Sequence, residues 1–104
     1  MAGEAAVGAS RGPIDQGTSR RVLGGILSLV GDHRGAEREL DAAWSLLHDA
    51  DVGEAARVVA EQARAALRRG DAARAASLVA QARSRLEALG AALDLRELEN
   101  LGWI

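Results

Sequence analysis

The 104-residue chain has no cysteine, phenylalanine, tyrosine or lysine, and it has a single proline. Without cysteine there is no disulfide framework, no zinc knuckle and no thiol nucleophile. Strands favour β-branched and aromatic side chains, yet isoleucine and valine together number ten and tryptophan two, which excludes an all-β fold. All 13 basic residues are arginine, read here as the codon bias of a GC-rich genome rather than as chemistry. What is abundant is alanine, with 23 residues, followed by 14 leucines and 12 glycines. At this length the chain is one domain.

A net charge of −2 gives no bulk attraction to nucleic acid or to an anionic membrane. The charge is unevenly placed. Residues 57–85 hold seven arginines against Glu61 and Asp71, whereas the first 52 residues hold five arginines against eight acids. The start, MAGEAAVGAS, lacks the basic and apolar regions of a signal peptide. The most apolar run, Val22 to Val30 (VLGGILSLV), is far short of the ~20 residues that span a bilayer. Together these features predict a cytoplasmic protein with neither membrane nor direct nucleic-acid contact.

Residues 1–16 combine small residues, Gly and Pro without a helical period and are expected to form a flexible leader. From about residue 19 apolar residues recur at helical spacing. Helix 1, about 19–30, is expected to bury Val22, Leu23, Ile26, Leu27 and Val30. Helix 2, about 33–49, carries Ala36, Leu40, Ala43, Leu47 and Ala50. Helix 3, about 53–69, is stabilised by Val52, Ala56, Val59, Ala63 and Ala66. Helix 4, about 72–89, has Ala72, Ala75, Val79, Ala82, Leu86 and Leu89, and a last helix, about 91–102, has Leu95, Leu98 and Leu101. Gly31-Asp32 and Gly70-Asp71 each set a helix-ending glycine beside an N-capping aspartate, joints short enough to force antiparallel hairpins.

The two hairpins repeat one another. Shifting the sequence by 39 residues brings Gly31, Asp32, Ala36, Ala43, Ser45 and Leu47 onto identical residues, and Leu40 onto Val79. Leu23-Gly24-Gly25-Ile26 returns as Leu101-Gly102-Trp103-Ile104 after 78, twice the same period. The prediction is an all-α, antiparallel helix-hairpin array in residues 17–104, with repeats at about 17–50 and 56–89 and a partial third at 95–104.

Leu23-Gly24, Leu27, Gly31-Asp32, Ala36, Leu40 and Ala43, matched by Ala63, Ala66, Gly70-Asp71, Ala75, Val79 and Ala82, resemble the tetratricopeptide repeat family. Arg20 and Val59 stand where that family usually has an aromatic, Ala66 replaces its tyrosine, the closing proline is missing, and the period exceeds the ordinary ~34. The longer period is similar to repeats in large bacterial transcription regulators and signalling ATPases. The resemblance implies close helix pairing at Gly24, Ala36, Ala63 and Ala75, with Leu40, Leu47, Val79 and Leu86 between layers. It also implies an inner groove lined by helix-A residues: Arg21 and Ser28, then Arg57, Arg64, Leu67 and Arg68, then Arg96, Glu99 and Trp103.

Arginines suit bidentate recognition of carboxylates, so the expected partner is a protein or acidic peptide. The competing reading of the same face is an Arg57–Glu61 surface pair with the other arginines simply solvated. His33, Glu37 and Asp41 align along a helix without a second cluster to complete a metal shell, and His48 sits at a helix end as a polar cap. No catalytic residue, metal or cofactor is assigned. Trp44 is expected in the core. The function expected is a non-catalytic, regulatory interaction module, with a segment of a larger regulator or a small helical mutase-type enzyme as alternatives. Leu98, Leu101 and Trp103 of the C-terminal helix are expected to carry self-association.

Overall fold

The structure, a computed structural model, describes residues 12–100. It is an all-α array of antiparallel helical hairpins. The helices are α1 (Pro13–Leu29), α2 (His33–Leu47), α3 (Val52–Arg68), α4 (Ala72–Leu89) and α5 (Ala92–Glu99). α1 packs along α2 and α3 along α4; α3 also touches both helices of the first hairpin, and α5 packs on α4. Among the described residues there is no strand, and no helix is long and apolar enough to cross a membrane.

The joints follow from two residue types. Gly31 and Gly70 adopt φ of +89° and +84°, a conformation that L side chains rarely adopt. Behind each, the aspartate N–H reaches back to the third-last helical carbonyl (Asp32 to Leu27, Asp71 to Ala66, both 2.9 Å). The same aspartates then cap the next helix, Asp32 accepting from Gly35 N–H at 2.9 Å and Asp71 from Arg74 N–H at 3.1 Å. One residue thus closes one helix and opens the next. Gly90 repeats the turn before α5, but Ala91 has no side chain with which to cap.

The core is built of alanine with a few large side chains. Ala56, Val59, Ala63, Ala75, Val79, Ala82, Leu86 and Leu98 share one cluster, and Ala43, Leu47, Ala55 and Val58 form another. Trp44 packs against both. Its ring also stacks on His48 with centroids 5.6 Å apart, and the Arg85 guanidinium lies 4.9 Å above it. His48 caps α2, its Nδ1 donating to the Trp44 carbonyl at 3.0 Å. α3 is the central helix, so Ala55, Val58 and Ala60 are buried beside the expected stripe of Ala56, Val59, Ala63 and Ala66.

Four expectations need correction. α1 begins at Pro13, inside the expected leader, because proline at the first helical position loses only an N–H that has no partner there anyway. Residues 1–11 of that leader lie outside the described residues. Ala50 falls in the turn after α2, Val52, Ala72 and Leu89 lie at helix ends, and all four are exposed. The largest reversal is in α1. Val22, Leu23, Ile26 and Val30 are exposed, Leu27 is half-buried, and the buried face is Gly17, Gly24, Gly25 and Ser28. The reason is backbone proximity. A β-carbon on Gly24 would stand 2.7 Å from Leu40 Cγ, and one on Gly17 would overlap the Leu47 side chain. Leu98, expected to be free for self-association, is fully buried under α4; Leu101 and Trp103 lie outside the described residues.

Candidate functional site

Of the five expected groove arginines, Arg21, Arg57 and Arg64 lie together, on the seam where α1, α3 and α5 meet. A cleft of about 190 Å³ there is lined by Arg21, Arg57, Arg64, Asp94 and Glu97 over a floor of Ala60 and Leu86. Helix periodicity brings the α3 residues together, since positions 54, 57, 61, 64 and 68 fall within one face. α1 supplies Arg21 from its glycine face, and α5 supplies the two carboxylates.

Each of these arginines has a carboxylate within the chain. Glu54 is the hub: its Oε1 accepts from Thr18 Oγ1 and Arg21 Nε, each at 3.2 Å, and its Oε2 accepts from Arg57 Nη1 at 2.7 Å. The side chain of Glu54 is only 15% exposed, so its charge is placed where screening is weak. Arg57 also reaches Asp94 of α5 at 3.4 Å. The hydrogen bond to Glu54 first, then the negative charge of Asp94, hold the Arg57 guanidinium above its ordinary pKa. Arg64 donates to Glu61 at 2.9 Å and lies 3.9 Å from Glu97. The face is therefore a ladder of alternating charge, not an open array of cations.

The remaining expected residues divide. Ser28 is buried and accepts from Arg68 Nη1 at 3.0 Å, which ties α1 to α3 and removes Ser28 from reach of a partner. Leu67 packs against the α3–α4 core. Arg96 and Glu99 are exposed on α5 and do not line the cleft; Trp103 lies outside the described residues. The expected Arg57–Glu61 pair does not form. Arg57 turns to Glu54 and Glu61 pairs with Arg64, both at i,i+3, because Glu61 is held inward against α1. Glu54, Asp94 and Glu97 were missed by sequence reasoning; the Glu54-x-x-Arg57 and Glu61-x-x-Arg64 spacings were the available signal. His33, Glu37 and Asp41 line a separate small pocket with Gln62, Arg69 and Arg74, in which Glu37 binds Arg69 at 2.6 Å.

The chain matches no family model, and comparison with curated proteins and with solved structures finds no similar protein.

Proposed function

We propose that this chain is a non-catalytic protein-interaction module of the cytoplasm, regulatory in role, whose tetratricopeptide-like inner face takes an acidic peptide or partner helix. The observation that supports this reading is the cleft where Arg57 and Arg64 meet α5. Their inner carboxylates, Glu54 and Glu61, are both 15% exposed and lie at 2.7 and 2.9 Å. Their outer ones, Asp94 and Glu97, lie at 3.4 and 3.9 Å, and Glu97 is 69% exposed. These outer contacts are longer than the inner ones, and Glu97 stands in solvent, so a partner's carboxylates exchange with Asp94 and Glu97 at lower cost than with Glu54 and Glu61. The inner pairs meanwhile keep the guanidinium groups oriented.

Calorimetric titration with an acidic peptide and a charge-neutral control tests this. Acidic-peptide affinity should fall with salt, fall again in Arg57→Ala with Arg64→Ala, and rise in Asp94→Asn with Glu97→Gln. Equal binding of both peptides, or indifference to all four substitutions, would sink the reading.

A further inference from the structure

Of the nine large hydrophobic side chains exposed among the described residues, five lie together on α1 and its C-cap: Val22, Leu23, Ile26, Leu29 and Val30. Steps of three and four place them on one stripe. Relative to Ile26 they stand at −4, −3, 0, +3 and +4, with Val and Leu on one side mirrored by Leu and Val on the other. A two-fold axis through Ile26 would set Val22 of one helix beside Val30 of an antiparallel copy and Leu23 beside Leu29. We infer that this face is the contact between two copies of the chain, an isologous α1–α1 interface with Ile26 on its dyad.

Three observations favour a second copy. The five side chains leave on the order of 500 Å² open, in the ~300–600 Å² range of the largest apolar patch on a typical monomer, a patch that is often functional. Doubled across a two-fold axis, that reaches the ~1,000 Å² that separates a biological contact from crystal-type packing and lies below the ~1,200–2,000 Å² of stable complexes, the size of a weak, concentration-dependent dimer. Next, the internal repeat shows what this face does when it is covered. Leu23, Ile26 and Val30 correspond, after 39 residues, to Gln62, Ala65 and Arg69. Those three residues line the pocket against α2, where Arg69 binds Glu37. In α3 the position is small or polar and meets a neighbouring helix; in α1 it is large and apolar, suited to a dry contact. Lastly, the face lacks the basic rim that a membrane surface would select: Asp15 shares its N-terminal side, and the flanking Arg20 is bound to Glu39 at 2.9 Å.

Sedimentation velocity on the full chain, from low to hundreds of micromolar, tests the assignment. The expected result is a dimer whose mass halves in Ile26→Glu with Leu29→Glu, with helical circular dichroism unchanged because both side chains are at least half exposed. The chain has no cysteine, so Ile26→Cys adds a single thiol on the dyad. It should cross-link on oxidation, whereas Ala80→Cys on the exposed side of α4 should not. A monomer at every concentration overturns the inference. So does a dimer that survives the double glutamate variant, which would place self-association elsewhere. A chain that stays monomeric while sedimenting with phosphatidylglycerol vesicles would assign the face to a lipid surface instead.

Discussion

The carboxylate of Glu61 on α3 stands where a side chain on Gly25 of α1 would have to be: a β-carbon there would lie 2.7 Å from Glu61 Oε1. Gly17, Gly24 and Gly25 make up most of the face that α1 turns toward its neighbours. Because α1 turns glycines inward, α3 comes near enough for Arg21 and Ser28 to meet Glu54 and Arg68. Glycine in the interior of a helix costs about 1 kcal/mol against alanine, and here that cost is set against interhelical contact.

The glycines of α1 should respond to alanine according to what they face. Gly24→Ala drives a methyl group into Leu40 Cγ and Cδ2, at 2.7 and 2.8 Å, with the Ala36 carbonyl at 3.3 Å. Overpacking costs ~1–3 kcal/mol and the gain in helix propensity is about 1, so a net loss near 1 kcal/mol is expected. Gly25→Ala meets only the flexible end of Glu61 and should be nearly neutral. Urea denaturation of both variants measures the difference; a stabilised Gly24→Ala would show that the close approach is not sterically fixed.

α5 lacks a cap that its backbone is shaped to accept. Ala91 has φ −85° and ψ 76°, close to Asp32 (−83°, 76°) and Asp71 (−90°, 79°), which both cap through their side chains. Ala91→Ser should therefore stabilise the first turn of α5 by ~0.5–1 kcal/mol. Serine is preferred to aspartate because Asp94 already occupies the third helical position. Slower amide exchange at residues 92–95 is the readout, and unchanged exchange there would refute the prediction.

Glu54 is worth more than an ordinary surface carboxylate. It accepts from three donors on two helices and is mostly covered, so Glu54→Ala leaves Arg21 and Arg57 without their shared partner. Hydrogen bonds to charged groups contribute ~1.5–3 kcal/mol, and a loss of that order is expected. The single Arg20–Glu39 pair, with Arg20 half exposed, should cost under ~1 kcal/mol when Glu39→Ala removes it. Equal losses in urea denaturation would mean that the ladder is no more than solvated charge.

Which parts were legible in the sequence follows from how local each cause is. The Gly-Asp joints are legible because turn and cap are both set within four residues, and the α2 and α4 stripes because their apolar face is also their buried face. α1 defeats the hydrophobic pattern, since it has two candidate faces and contact distance selects the glycine one. Hydropathy cannot rank a glycine above a leucine for burial. The arginine positions on α3 were legible from helical spacing, but their partners were not. Glu54 meets Arg21 across 33 residues and Asp94 meets Arg57 across 37, and no local pattern encodes either pair.

α5 is held to the array mainly through one side chain. An eight-residue helix spans about 12 Å and is not stable alone in water. Here it has no side-chain cap, one fully buried side chain in Leu98, a half-buried Leu95, and two long ion pairs to α3. Its attachment is thus concentrated in Leu98, which packs with Leu86 in the α3–α4 cluster. Leu98→Ala should release α5 as a unit, so that amides in 92–99 exchange freely while α3 and α4 keep their protection. The global unfolding transition should move little, because a detached terminal helix lets its loss stop at its own docking energy. Leu86→Ala, in the body of α4, should by contrast lower the whole transition by ~2–5 kcal/mol. Release of α5 also frees Arg57 and Arg64 from Asp94 and Glu97, so acidic-peptide affinity should rise in Leu98→Ala as it does in the doubly neutralised variant. Uniform loss of protection across all helices would show that α5 is part of the cooperative core and not a separately docked element.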